Sequence, residues 1–168
     1  MKDIRRDSLP TLLFIAGEGG HVEQARRILA QLEPDVRATS HCVLVTDSDA
    51  VDGGAFDACW VIDTCAPKHR ASGLRDALVY TRSSARILWR MLRHHDVRMA
   101  IVTGPGFAMI PALGARLLGA QLLVFESWSR FEQRSKCGRV LYRFAHRFFV
   151  QHEELLALYP RATWVGLL

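Results

Sequence analysis

Short apolar runs rich in β-branched and aromatic residues alternate with stretches of helical periodicity along almost the whole chain, and no other feature constrains the fold as much. The runs at 11–16, 41–46, 58–62, 99–102, 121–125, 146–151 and 163–165 have the length and composition of strands. Between them, 21–32, 72 to about 95, 106–118 and 139–145 read as helices, and 153–158 as a short one ended by Pro160. Strands that alternate with helices predict an α/β fold: a Rossmann-like, mainly parallel sheet with helices on both faces. With 168 residues, no repeat and no linker-like tract, residues 1–168 read as a single domain.

Composition closes off several classes. At 49% hydrophobic and 23% charged, the chain is an ordinary folded soluble protein. No apolar run approaches the roughly 20 residues of a membrane span. The first residues mix acids with bases ahead of a short apolar run, so no secretory signal is expected. Cys42, Cys59, Cys65 and Cys137 have no CxxC spacing and read as reduced, buried thiols of a cytosolic protein, with no metal site.

The net charge of +5 is concentrated. Eight basic residues against Asp76 and Asp96 lie between Lys68 and Arg98, so that segment carries the whole excess. Within the long helix, Leu74, Leu78, Thr81, Ala85, Leu88 and Leu92 form one narrow stripe at spacings of four and three. Arg75, Arg82, Arg86, Arg90 and Arg93 fall on one arc of roughly 80° beside it, with Trp89 near them. The bland reading is a solvated face. The sharper one is a peripheral contact with an anionic membrane surface through Arg82, Arg86, Trp89, Arg90 and Arg93. No nucleic-acid-binding motif accompanies these arginines, so nucleic acid is not an expected partner.

Chemistry-bearing residues collect after the strands, where open parallel sheets bind ligands. Gly17-Glu18-Gly19-Gly20-His21 joins the first strand to the first helix; a glycine turn there lets N–H groups approach a phosphate, and the alternative is a tight turn with a surface histidine. Thr103-Gly104-Pro105-Gly106 is a second such turn, or a plain connection. In Glu126-Ser127-Trp128-Ser129-Arg130, Glu126 suits sugar hydroxyls, and Arg130 suits a phosphate or an internal pair with Glu126. Ser135-Lys136-Cys137-Gly138 reads as a helix cap, Arg139, Arg143 and Arg147 as a solvated face, and Val150-Gln151-His152-Glu153 ends the penultimate strand.

Taken in order, Gly19-Gly20-His21, Thr103-Gly104-Pro105-Gly106, Phe125-Glu126-Ser127-x-x-Arg130, Ser135-x-x-Gly138, Phe149-Val150-Gln151 and Tyr159-Pro160 resemble the PssD-type family over nearly the whole chain. Its eukaryotic relative is the membrane-associated subunit of the UDP-GlcNAc transferase acting on dolichol-pyrophosphate-GlcNAc. The resemblance implies the N-terminal, acceptor-side half of a GT-B glycosyltransferase, similar to that half of MurG. It implies a separate small donor-binding subunit, with which a sugar passes from a UDP-sugar to a polyprenyl-pyrophosphate-linked acceptor in bacterial exopolysaccharide or capsule assembly. The expected location is peripheral, on the cytoplasmic face of the cell membrane, and no cofactor is expected.

On this resemblance Gly17, Gly19, Gly20, Thr103, Gly104, Pro105, Gly106, Ser127, Arg130 and Gln151 are expected at the acceptor. His21 is the leading general base because an imidazole titrates near neutrality, with Glu126 a second catalytic candidate and Asp47 a further alternative. The last residues, Gly166-Leu167-Leu168, fall where a two-domain enzyme would begin its second half, so activity is expected only with a partner. Two features depart from the family: Glu18 puts a negative charge in the first loop, and only ten mostly polar residues precede the first strand, where eukaryotic relatives carry a membrane helix. Two other classes fit parts of the pattern. One is a non-catalytic recruiter of the donor-binding subunit. The other is an NAD-dependent oxidoreductase, suggested by Gly17-x-Gly19 and Asp47 but opposed by Val22 at the third glycine position.

Overall fold

The computed structural model describes residues 9–63, 74–94 and 96–168, with the side chains of the long helix described from 78 to 91. The elements run β1 (Thr11–Ala16), α1 (Gly20–Ala30), α2 (Pro34–Ala38), β2 (His41–Thr46), β3 (Ala58–Val61), α3 (Leu74–His94), β4 (Val97–Gly104), α4 (Met109–Leu117), β5 (Gln121–Phe125), α5 (Lys136–Leu141), β6 (Arg147–Val150) and β7 (Thr163–Trp164). Single 3₁₀ turns occupy Gly106–Ala108 and Glu153–Ala157. All seven strands are parallel, in the order β3-β2-β1-β4-β5-β6-β7. The α/β fold expected from the sequence is the fold observed.

The order reverses once, and the reversal explains the layers. The chain steps outward from β1 to β2 to β3, then crosses back to place β4 on the other side of β1. Parallel crossovers are right-handed, so connections that step in opposite directions lie on opposite faces of the sheet. Accordingly Leu12, Phe14 and Ala16 pack against Val22, Ala25, Ile28 and Leu29 of α1. Leu13 and Ile15 instead pack with Ile87 and Met91 of α3, Ala112 and Ala115 of α4, and Leu141 of α5. Every residue of β1 and β2 is buried, as strands covered on both faces require.

Helix α3 corrects the stripe expected from spacing. Leu78, Thr81 and Ala85 point outward, Leu78 with 67% of its surface exposed, and Trp89 is also exposed at 51%. The buried side is Ser83, Ser84, Ile87 and Met91. Leu88 belongs to the inner side, lying against Gly114 of α4, where a Cβ would overlap it. Polar contacts explain the inward serine and tyrosine: Ser83 Oγ accepts the Asp63 N–H at 3.0 Å, and Tyr80 donates to the Phe107 carbonyl at 2.6 Å. Arg82, Arg86 and Arg90 are exposed on the outer side, while the side chains of Leu74, Arg75, Leu92 and Arg93 lie outside the described residues.

Two further expectations change. Cys42 and Cys137 are free and buried, but Cys59 is exposed on β3, which lies at the sheet edge, and Cys65 lies outside the described residues. Helix α5 begins at Lys136 rather than Arg139, with Ser135 as its cap: the Ser135 hydroxyl accepts the Gly138 N–H at 2.8 Å.

At the other edge of the α1 side, the buried Asp57 carboxylate joins Arg37, at 2.7 Å, to the Cys42 N–H at 2.8 Å. Asp57→Ala strips the acceptor from the Cys42 N–H at the start of strand β2 and is expected to lower unfolding stability by about 2 kcal/mol. Asp57→Asn, which keeps one acceptor, is expected to lose less. Urea denaturation of the three proteins checks both.

Candidate functional site

The reversal between β1 and β4 leaves a crevice at the carboxyl ends of the strands, where open α/β sheets place their ligands. A cleft of about 280 Å³ lies there. One wall is His21 with Thr103, Gly104, Pro105 and Gly106; the floor is Val124, Phe125 and Glu126; the far wall is Ser127, Ser129, Arg130 and Ser135–Gly138 of the β5–α5 connection. Of the expected site residues, the structure therefore brings together His21, Thr103–Gly106, Glu126, Ser127 and Arg130.

His21 is the second residue of α1, and the end of β4 sets its place. The buried Thr103 hydroxyl donates to the His21 carbonyl at 2.9 Å. Gly104 has φ 100°, a conformation glycine adopts freely, and a Cβ on it would come to 3.1 Å from His21 Cε1. The imidazole thus rests on a position with no room for a side chain.

The first loop plays a different part from the one its glycines suggest. Gly17, Gly19 and Gly20 do not line the cleft. Gly17 gives its N–H to the Gly104 carbonyl at 2.9 Å and packs so closely on Pro105 that a Cβ would overlap the ring. A Cβ on Gly20 would come to 3.1 Å from the Trp128 indole nitrogen, and the Arg27 guanidinium lies 5.1 Å over that indole. Asp47 accepts the Glu18 N–H at 2.9 Å, so it anchors this loop. Two of these small residues therefore bring three loops together and leave the cleft to later segments.

Glu126 is 2% exposed, and its carboxyl group is fully engaged. It accepts from the Tyr159 hydroxyl at 2.6 Å, the Ser127 N–H at 3.0 Å and the Ser135 N–H at 3.3 Å. The pairing with Arg130 considered from sequence is not formed. Arg130 and Lys136 both line the cleft, and neither makes an ion pair among the described residues. Gln151 lies behind the site: its amide donates to the Glu126 carbonyl at 3.2 Å, as Gln24 does at 3.3 Å, and its oxygen accepts the Leu168 N–H.

Sequence reasoning missed Lys136 as a site residue, although it read Ser135-Lys136-Cys137-Gly138 as a helix cap. The Ser135 cap was the available signal, since it puts Lys136 at the first helical position beside the end of β5. Cys137 also reaches the cleft, but burial, with a smaller push from Glu126, lifts its thiol to about 12, so it is no nucleophile at neutral pH. Among the described residues no cluster of His, Cys, Asp and Glu could hold a metal ion, and no helix is long and apolar enough to cross a membrane.

Two cations with no ion pair among the described residues, two serine hydroxyls and an imidazole around a largely apolar cleft suit an anionic, hydroxyl-bearing ligand. Comparison with known proteins gives the family. The model of the family described as oligosaccharide biosynthesis protein Alg14 like matches residues 12–168. The chain belongs to the Alg14-like family. It is 24% identical to the UDP-N-acetylglucosamine transferase subunit ALG14 of Yarrowia lipolytica over 97% of this chain and 83% of that protein. The human subunit of the same name is 23% identical over 96% and 83%.

Among solved structures, MurG of Acinetobacter baumannii superposes with a TM-score of 0.65 at 16% identity, over 86% of this chain. This Alg14-like chain spans 42% of that MurG. UGT2 of Phytolacca americana, solved with UDP-2-fluoro-glucose and pterostilbene, gives 0.51 at 13% identity, over 91% of this chain and 49% of its own. The fold is that of the N-terminal half of GT-B glycosyltransferases.

The thiol of Cys137 makes alkaline stability a probe of the cleft. Its ordinary value is 9.0, so above that pH the unfolded chain sheds a proton that the native chain keeps up to about 12. Stability is therefore expected to fall as pH rises from about 9 toward 12. Cys137→Ala is expected to make that fall shallower. Melting temperatures at pH 8 to 11 for both proteins read the difference in slope.

Proposed function

We propose that this chain is the acceptor-side subunit of a two-protein inverting glycosyltransferase. A separate donor-binding subunit holds the UDP-sugar, and this chain presents a polyprenyl-pyrophosphate-linked sugar to it. Within the Alg14-like family we assign the chain to the PssD-type members of bacterial exopolysaccharide or capsule assembly, on the motif order from Gly19-Gly20-His21 to Tyr159-Pro160. The observation that carries the reading is the cleft, with His21 on one wall and Arg130 and Lys136, which make no ion pair among the described residues, on the other. It opens at the strand ends of a fold that spans less than half of the glycosyltransferases it resembles.

The chemistry follows from that placement. The acceptor hydroxyl oxygen attacks the anomeric carbon as the bond to the UDP oxygen breaks, inverting the configuration. The proton of the hydroxyl passes to the His21 imidazole, and the partner subunit stabilises the departing UDP. Arg130 and Lys136 hold the acceptor's pyrophosphate, with the Ser127 and Ser129 hydroxyls as further donors. Glu126 is buried under three protein hydrogen bonds and Asp47 does not line the cleft, whereas His21 does, which makes His21 the favoured base.

Attachment to the cytoplasmic face of the membrane is assigned to the outer side of α3. There Leu78 and Trp89 share an exposed face with Arg82, Arg86 and Arg90, the pattern of a helix lying on an anionic bilayer surface.

Transfer from radiolabelled UDP-sugars to membrane-borne acceptor is expected only when this chain and its partner are mixed. Transfer by the partner alone would instead make this chain a recruiter. In the assembled enzyme, His21→Ala is expected to lower turnover by about two to four orders of magnitude. Turnover close to wild type would remove His21 from the base role.

Each basic residue at such a surface contributes about 1 kcal/mol of attraction. Reversing Arg82, Arg86 and Arg90 to Glu is therefore expected to weaken binding to phosphatidylglycerol liposomes by a hundredfold or more, with the partner still bound. Cosedimentation measures it, and unchanged liposome binding would move the attachment elsewhere.

A further inference from the structure

Resting on the acceptor reading above, we propose that Tyr159 is a positioning residue for the anion-binding wall of the cleft and acts through Glu126. Tyr159 follows the Glu153–Ala157 turn and comes from a segment that touches the cleft nowhere itself. It is fully buried, its ring packed on Phe148 at 4.5 Å and Tyr142 at 4.9 Å, with the Arg134 guanidinium 5.2 Å over its face. All of that packing fixes the direction of one hydroxyl, which donates to Glu126 Oε2 at 2.6 Å. Burial first, and the Glu126 contact second, raise the phenol above its ordinary value, so the hydroxyl keeps its proton and remains a donor.

Glu126 passes that constraint to the far wall. The same Oε2 accepts the Ser135 N–H, and Oε1 accepts the Ser127 N–H, so one carboxyl group holds both ends of the 127–135 connection. Helix α5 sits directly on it: a Cβ at Gly138 would overlap Oε2 and come to 2.7 Å from the Tyr159 oxygen. Gly138 is thus a gap shaped for the Glu126–Tyr159 pair. Lys136 leads out of Ser135, and Arg130 lies between the two held ends, so their convergence on one anion depends on where this carboxyl group stands. The role of Glu126 is accordingly to place cations, and proton transfer stays with His21.

Tyr159→Phe removes one oxygen and keeps the ring packing. The control is Val43→Ala in β2, a fully buried core position away from the cleft, which lowers stability without touching this network. Calorimetric binding of inorganic pyrophosphate to the isolated chain is expected to weaken about tenfold in Tyr159→Phe and to be unchanged in Val43→Ala. In the assembled enzyme the acceptor KM is expected to rise about tenfold with kcat within about threefold. Amide exchange at Ser135 and Gly138 is expected to accelerate in Tyr159→Phe and not in Val43→Ala.

Equal pyrophosphate affinity in wild type and Tyr159→Phe overturns the role of Tyr159 alone. A wild-type chain that binds no pyrophosphate overturns the acceptor reading beneath it. If Tyr159→Phe does not fold, the isosteric Glu126→Gln supplies the same test. It is expected to show a raised KM with near-normal kcat, whereas a kcat lowered a hundredfold at unchanged KM would put Glu126 in the chemistry and overturn the proposal.

Discussion

The right-handedness of parallel crossovers fixes more of this molecule than any single contact. Because the chain steps outward through β1, β2 and β3 and then returns to the other side of β1, α1 covers one face and α3, α4 and α5 the other. The loops after β1 and β4 must then diverge to opposite faces, which opens a crevice between them. The cleft is a consequence of topology before any side chain is considered. Which loops fill the divergence decides its chemistry. Here the first loop is drawn in against Pro105 and Trp128, so the open volume shifts toward β5 and α5 and the cations they carry.

That shift makes Glu126 the centre of the site's internal structure. Its backbone N–H bonds Phe149, its carbonyl accepts Gln24 and Gln151, and its carboxyl group accepts Tyr159, Ser127 and Ser135. One residue thereby ties α1, β6, the β5–α5 connection and the segment before β7 to the end of β5. A buried carboxyl group left without donors would be costly, and the same group with three of them rigidifies everything that supplies one. Around it Arg130 and Lys136 make no ion pair among the described residues, so the network holds the cleft's shape without consuming their charge.

The strands were legible because they are buried on both faces and therefore apolar at nearly every position, as in Thr11–Ala16 and His41–Thr46. Helix α2 left no such mark: none of its five residues is buried, and only Pro34 at its first turn announces it. Helix α3 was misread for a physical reason. Two inward positions are Ser83 and Ser84, and Ser83 is spent on the backbone of Asp63, while leucine and tryptophan stand on the outer face. Hydropathy therefore favoured the wrong side. The glycines were legible only in part. A sequence shows where a Cβ is missing but not what occupies the space, and at Gly17 it is Pro105, at Gly20 Trp128, at Gly138 the Glu126 carboxyl group.

The two positively charged features share one layer of helices. The helices on the α3 side of the sheet include α4 and α5, whose leading segments form the 3₁₀ turn at Gly106–Ala108 and the Ser135–Gly138 wall of the cleft. Arg82, Arg86, Arg90 and Trp89 stand on the outside of that layer, and Arg130 and Lys136 stand at its rim. A soluble anion would need only the rim. A lipid-linked diphosphate on the acceptor reading needs both, because its apolar tail must stay in a bilayer while its head reaches His21. Helix α3 packs on α4, which follows the Thr103–Gly106 side of the cleft, so the exposed arginines and the cleft belong to one helical layer.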